Sequence, residues 1–214
     1  LCQRCLAGIH PCSSPRCPCC SLPYPTENGT DHRCEACLRR PPAFAWVSAL
    51  GLYQESLREA VHRFKFEGAI GLDRALARLL GEAVAAERPG YVPDLIVPVP
   101  LHRRRLRQRS YNQALLLARQ LGRCWRVPVA ARMLVRTRAT VPQQGLSAEA
   151  RRHNLGGAFR LQEEVAGRKI LLLDDVLTTG ATVDECSRLL RRGGAAEIGV
   201  AVLGRAPRPD FIAQ

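Results

Sequence analysis

Residues 170–182 read Ile-Leu-Leu-Leu-Asp-Asp-Val-Leu-Thr-Thr-Gly-Ala-Thr, and no other stretch restricts the fold as tightly. Ile170–Leu173 is an apolar run of strand length, as expected of a strand buried on both faces of a parallel sheet. Two adjacent carboxylates, Asp174 and Asp175, stand at its C-terminal end. Val176 and Leu177 lead into the turn Thr178-Thr179-Gly180, and Ala181 and Thr182 open a helix predicted over Gly180–Arg192. On that helix Val183, Cys186 and Leu190 share a face. Asp184 and Glu185 occupy the first turn, and Arg191, Arg192 and Gly193 close the end.

That order of parts suits an anion. Open parallel sheets bind ligands at the C-terminal strand edge. A helix N-terminus there presents free N–H groups and the positive end of the helix dipole. Gly180 permits close backbone approach, and Thr178, Thr179 and Thr182 add hydroxyl donors. Paired strand-end carboxylates can accept from both hydroxyls of a ribose, and they place negative charge where an oxocarbenium ion would develop. Magnesium could bridge such a diol and a pyrophosphate. An acidic pair alone would be no more than a turn cap, whereas the thirteen-residue combination is far more specific. No G-x-x-x-x-G-K-[ST] occurs, which disfavours a P-loop nucleotidase.

The rest of the chain supports a parallel α/β architecture. Strands are predicted at Trp46–Tyr53, Asp94–Val99, Ala131–Val135 and Glu197–Leu203. Helices are predicted at Glu55–Phe66, Leu72–Glu87 (stopped by Arg88-Pro89-Gly90) and Tyr111–Cys124. Strands alternating with helices imply right-handed crossovers and a parallel sheet. Arg136–Gly157 has no sustained period and reads as a polar loop long enough to close over a ligand and exclude water. With 214 residues, 46% of them hydrophobic, the chain accommodates one medium domain, predicted at 46–214, and a small module at 1–45. No apolar run approaches the roughly 18 residues that span a bilayer, so a cytoplasmic protein without membrane insertion is expected. The first residue is Leu1 rather than Met, and further residues are expected upstream.

Eight of the ten cysteines precede residue 38, and six form C-x-x-C pairs. Cys17/Cys20 and Cys34/Cys37, thirteen residues apart, suit a four-thiolate structural zinc ribbon, although Cys19 offers an alternative ligand. Cys2/Cys5 reads as half of a second, weaker site. Its partner pair would lie upstream of Leu1, or Cys12 and His10 would complete it. Cys124 and Cys186 read as buried apolar residues.

The net charge of +13 is concentrated in residues 94–160, which hold fourteen arginines against Asp94 and Glu149. Lys65 and Lys169 are the only lysines, so the cationic chemistry is nearly all guanidinium, suited to bidentate phosphate contact. A polyanionic partner is implied. Arg103, Arg104, Arg105, Arg107 and Arg109 lie within seven residues, behind the stiff Pro98-Val99-Pro100. His102 is the one histidine beside the expected site, while His62 and His153 read as surface residues.

Residues 170–182 resemble the 5-phosphoribosyl-1-pyrophosphate (PRPP) signature of type I phosphoribosyltransferases. The wider chain resembles the ComF family, associated with natural competence and DNA uptake. The matching residues are Phe64-Lys65-Phe66; Val97–His102 with Arg109, Tyr111, Asn112 and Gln113; Gln143, Leu146, Arg151, Asn154 and Phe159; and the cysteine pairs. The resemblance implies a type I phosphoribosyltransferase fold with an N-terminal zinc ribbon, PRPP as ligand and magnesium with it. By the resemblance, Asp174 and Asp175 hold the ribose hydroxyls, and the segment through Val176, Leu177, Thr178, Thr179, Gly180, Ala181 and Thr182 holds the 5-phosphate. Backbone at Pro98, Val99, Pro100 and Leu101 holds pyrophosphate, clamped by Arg109. Ser110 stands where the family pattern has glycine. One pyrophosphate cannot use five guanidiniums, so Arg103, Arg104, Arg105 and Arg107 are candidates for a single-stranded DNA track, with Tyr111 and Trp125 as stacking platforms. A helicase-like competence protein is a further candidate partner.

Overall fold

The computed structural model describes residues 1–26, 28–138 and 156–207. Most of the predicted long loop, including Gln143, Arg151, Arg152 and His153, lies outside the described residues. In chain order the elements are α1 (Gln3–Ala7), α2 (Glu35–Arg39), β1 (Trp46–Leu52), α3 (Glu55–Phe66), a 3-10 turn at Ile70–Leu72 and α4 (Asp73–Glu87). They continue as β2 (Leu95–Pro98), α5 (Arg103–Arg109), α6 (Gln113–Trp125), β3 (Leu134–Arg136), β4 (Phe159–Leu161), β5 (Lys169–Leu177), α7 (Ala181–Arg192) and β6 (Glu197–Arg205).

Four strands make one parallel sheet in the order β1-β6-β5-β2. β3 and β4 form a separate antiparallel pair. Buried on both faces, β5 alternates its side chains between two cores, as the two-residue strand period requires. Ile170 and Leu172, with Val97, Val200 and Val202, face α7, whose Val183, Cys186 and Leu190 are buried against them. Leu171 and Leu173, with Ile96, Ala201 and Leu203, face α3, α4 and α6.

The cysteine-rich segment packs into the α7-side core through Cys12, Cys17, Leu22 and Phe44. Polar contacts fasten it further. Ser21 Oγ donates to the Val47 carbonyl at 2.6 Å, and Leu52 N donates to the His10 carbonyl at 2.7 Å. Arg16 pairs with Glu87 at 2.6 Å.

Three differences from the sequence reading have physical causes. β5 runs four residues beyond Leu173 because β6 continues to pair with it as far as Leu177↔Arg205. α5 was not expected, because Arg-Arg-Arg-Leu-Arg-Gln-Arg has no apolar stripe and its Leu106 is exposed. Its ends define it instead: His102 Nδ1 accepts from Arg104 N, and Ser110 takes a left-handed conformation at the C-cap. β3 lies at Leu134–Arg136 rather than Ala131–Val135, because its partner is the unpredicted β4. Cys186 is buried, as expected, but Cys124 is exposed. Among the described residues no helix is long and apolar enough to cross a membrane.

Candidate functional site

The sheet forks at the end of β2. The last register pair between β2 and β5 is Pro98↔Leu173, and Val99 N donates to the Leu173 carbonyl at 2.8 Å. Beyond that point Pro98-Val99-Pro100 turns away, while β5 continues along β6. Asp174, Asp175 and Val176 therefore lie where β5 has lost its β2 neighbour, at the C-terminal edge of the sheet. Ligands of open α/β sheets bind in such a crevice.

Adjacent residues on a strand point to opposite faces, and the two acids accordingly meet different partners. Asp175 Oδ1 is 2.9 Å from Lys65 Nζ at the end of α3, and both side chains are largely buried. Asp174 lies on the α7 and β3 side, with Cys186 and Arg136 in its electrostatic environment. Burial, reinforced by the neighbouring Asp175 carboxylate, pushes Asp174 up to about 7. One acid of the pair is thus held near its titration point at neutral pH, while the other is met by an ammonium.

Past Leu177, Thr178 and Thr179 are exposed, and Gly180 adopts φ 79°, ψ 0° as the N-cap of α7. That left-handed conformation turns the strand into the helix in one residue and is open to glycine without strain. Thr179 Oγ1 accepts from Ala181 N at 3.5 Å. The result is a short turn with small side chains leading into a twelve-residue helix, the strand–turn–helix arrangement expected from the sequence. Beneath it, the guanidinium of Arg205 donates to the Leu177 and Thr178 carbonyls.

The opposite wall is the segment Pro98–Leu101 and α5. Asn112 Nδ2 donates to the Val99 carbonyl at 3.1 Å, and Asn112 Oδ1 caps α6. The arginine cluster divides by helical position. Arg105 and Arg109, four apart, are half-buried, whereas Arg103, Arg104 and Arg107 are exposed. Burial, then repulsion from Arg109, lowers the Arg105 pKa, and the charge of Asp175 opposes the shift. Arg105 thus belongs with Arg109 on the inner side rather than with the outward three. Arg109 also stacks over Phe66 at 4.8 Å. A cavity of about 750 Å³ adjoins this wall, lined by Leu101, Arg103, Arg119, Arg132 and Arg136 among others. Of the expected stacking platforms, Tyr111 uses its hydroxyl to donate to the Phe64 carbonyl, and Trp125 packs partly buried on the α3/α4/α6 side.

The second site is a thiolate cluster. The Sγ atoms of Cys17, Cys20, Cys34 and Cys37 all lie within 4.8 Å of one another, with Cys20 and Cys34 at 3.7 Å. Four thiolates at about 2.3 Å from a tetrahedral zinc ion stand about 3.8 Å apart, so the set fits such a metal. The cluster takes Cys20, not Cys19, which is buried in the α7-side core. Among the described residues no other group of three or more potential ligands gathers at metal-binding distance. Cys2 and Cys5 Sγ are 3.5 Å apart without such company. Neither candidate completes their site: His10 bonds Glu55 at 3.0 Å, and burial pushes the Cys12 thiol up to about 11.

A phosphoribosyl transferase domain model matches residues 110–210. Competence protein F of Haemophilus influenzae is 38% identical over 221 aligned residues, covering 96% of this chain and 96% of that protein. The chain belongs to the ComF family. DNA utilization protein YhgH of Escherichia coli K12 is 40% identical over 192 residues, covering 88% of this chain and 83% of its own. Among solved structures, adenine phosphoribosyltransferase of Saccharomyces cerevisiae aligns at 17% identity and TM-score 0.41, covering 63% of this chain and 67% of that one.

Two positions of this ComF chain gain meaning from the geometry. Ser110, where the family pattern has glycine, has φ 65°, so the glycine-like turn survives the serine. Lys65, the middle residue of Phe64-Lys65-Phe66, supplies the ion pair at Asp175. Its signal was its rarity, one of two lysines among thirty-two basic residues. The thiolate cluster yields a direct test. Cys34→Ser or Cys37→Ser is expected to lose the bound metal by elemental analysis, whereas Cys19→Ser retains a full equivalent. Metal lost with Cys19→Ser but kept with Cys20→Ser would refute the assignment.

Proposed function

We propose that the chain is a cytoplasmic PRPP-binding protein serving DNA uptake, with zinc in its cysteine cluster. The observation that carries this reading is the forked sheet edge. An acidic pair, the N-terminus of α7 and two half-buried arginines stand at that end of the sheet. The 5-phosphate sits on Thr178–Thr182, and the ribose diol faces Asp174 and Asp175. The pyrophosphate lies by Pro98–Leu101, within reach of Arg105 and Arg109. Relatives named competence protein F and DNA utilization protein support the role in DNA handling. The zinc is structural, since four thiolates leave no open coordination position.

The donor half of a phosphoribosyl transfer requires little beyond these parts. The C1–O bond breaks with its electron pair leaving on pyrophosphate, and an acceptor bonds to C1 and gives up its proton. Magnesium bound with PRPP would neutralise charge on the departing pyrophosphate. The two arginines stabilise that group, and the carboxylates face the developing positive charge. Lys65 holds Asp175 until a cationic centre replaces it. Lys65 thus joins the proposed ligand-binding set.

A second reading rests on the outward arginines. Arg103, Arg104 and Arg107 project from α5, and Arg119 and Arg132 continue the basic lining of the adjoining cavity. Such a surface can track a phosphate backbone, which would make the chain a single-stranded DNA adaptor with PRPP as regulatory ligand.

Separate measurements distinguish these readings. Calorimetric titration with PRPP and magnesium should show binding that Asp175→Asn weakens by at least about tenfold, a loss of one charge-assisted bond. Pyrophosphate release with a panel of bases reads catalysis separately, and absence of PRPP binding removes the proposal. Because ligand binding requires an ionised Asp174 and the free site takes up a proton below about 7, affinity should fall as pH drops. From pH 8 to pH 6 the loss attributable to this group is about tenfold, and Asp174→Asn should remove that dependence. The same raised pKa has the opposite sign for the ligand-free fold: stability from the protonated group is present at low pH and is lost as pH rises through 7. For the adaptor reading, affinity for single-stranded DNA should fall steeply with salt, with a slope reduced by about two in Arg103→Gln/Arg104→Gln. A slope unchanged by that pair would discard the track.

A further inference from the structure

Arg205, the last residue of β6, is a buried cation whose partners lie in two separate parts of the chain. Its Nε donates to the Cys20 carbonyl at 2.8 Å, and its Nη2 lies 4.0 Å from Cys20 Sγ. On the other side, Nη1 donates to the Leu177 carbonyl at 3.1 Å, to Thr178 at 2.7 Å and to Ala206 at 2.6 Å. No carboxylate pairs with it among the ion pairs of the described residues. A desolvated guanidinium without a counter-charge is costly. Four thiolates on a divalent ion carry a net charge of −2, and one of those sulfurs is beside Arg205. A metal-loaded cluster would therefore supply an anionic partner beside it.

Arg205 shares the Leu177 carbonyl with Ala206 N and reaches one residue further to the Thr178 carbonyl, past the end of the ladder. In a trans peptide the C=O and the following N–H point in opposite directions. Drawing the Leu177 and Thr178 carbonyls down onto the guanidinium turns the N–H groups of Thr178 and Thr179 to the other side. That is the side assigned to the 5-phosphate in the function proposed above. The Leu177 carbonyl also accepts from Ala206 N at 2.9 Å as the β5–β6 ladder closes, so the guanidinium acts chiefly on the Thr178 carbonyl; a cavity of about 540 Å³ lies beside it, with Cys20, Cys37, Thr178, Gly180 and Arg205 in its walls. The guanidinium bridges the two segments as a planar fork with donors on both sides, a shape that lysine cannot reproduce.

We propose that Arg205 is a positioning residue, a strut through which the metal-loaded cysteine cluster aims the Thr178 and Thr179 amides at the 5-phosphate. Metal occupancy and phosphoribosyl binding are then thermodynamically linked. This rests on the phosphate site proposed above. Linkage is reciprocal: the factor by which metal loading tightens phosphate binding must equal the factor by which phosphate tightens metal.

Ribose 5-phosphate is the probe, since it engages the cradle without pyrophosphate. The zinc-loaded full chain is titrated calorimetrically before and after zinc removal by a chelator. Zinc transfer to a chromophoric chelator is measured with and without saturating ribose 5-phosphate. Both ratios are expected at about tenfold and equal within error, within the usual range of coupling between sites. Arg205→Lys retains the zinc and the charge but brings both ratios to one, an outcome that loss of stability alone does not produce. Should that variant fail to fold, the two wild-type ratios decide. Ribose 5-phosphate binding with ratios of one overturns the strut and leaves the phosphate site standing. Failure to retain zinc also overturns the strut, while failure to bind ribose 5-phosphate overturns the phosphate site itself.

Discussion

The parting of β2 from β5 is the constraint on which the rest of the molecule depends. As far as Pro98↔Leu173 the two strands satisfy one another's backbone groups, and one bond later, from Val99 N, the ladder ends. Pro98 and Pro100 fix the backbone on either side of Val99 and so stiffen the chain where it leaves β5. β5 keeps its other neighbour, so it stays extended while one edge is free. A rigid strand with a free edge can present polar side chains at fixed positions in a partly dry crevice. The shift of Asp174 to about 7 is the electrostatic consequence of that burial, strengthened by Asp175 beside it.

How much of this was legible followed from the kind of signal each part sends. The cradle was readable because its requirements are local: apolar strand, acids, small hydroxylated turn, one glycine, amphipathic helix. Gly180, expected to permit close backbone approach, instead supplies a left-handed N-cap, and Cys186 and Leu190 face the core as expected. The four-cysteine cluster was readable because thiolate spacing is itself a short-range geometric code. Partners distant in sequence sent no such signal. Lys65 meets Asp175 across 110 positions only because α3 returns its C-terminal end to the sheet edge. α5 was missed because its seven residues lack an apolar period, and the division of the arginines into inner and outer sets disappears without the helix. Cys124 was misjudged for a related reason. Its helix is amphipathic, and position 124 falls on the outer face, one residue before the partly buried Trp125.

The cysteine-rich segment contributes differently from what an appended module would. Its buried residues join the same core cluster as Ile170, Leu172 and α7, and its backbone is tied to β1 through Ser21 and His10. A stretch so rich in turns has too few apolar side chains to build a core alone, and a metal on the four cysteines would supply order without area. Placed against the sheet, that ordered segment covers the face of β1 and β6 beside α7.

The choice of cation at each position follows from what must move. Arg205 bonds carbonyls on both sides of a gap and has five donors in a fixed plane, which suits a part meant to stay in place. Arg109 lies flat over Phe66, its charge directed by stacking. At Asp175 the chain departs from its arginine habit and uses Lys65. An ammonium on a flexible stem makes a single-point contact with the carboxylate, where a guanidinium would close on both oxygens. The looser pair makes Lys65 the more readily exchanged partner, which is compatible with the ligand role proposed for Asp175.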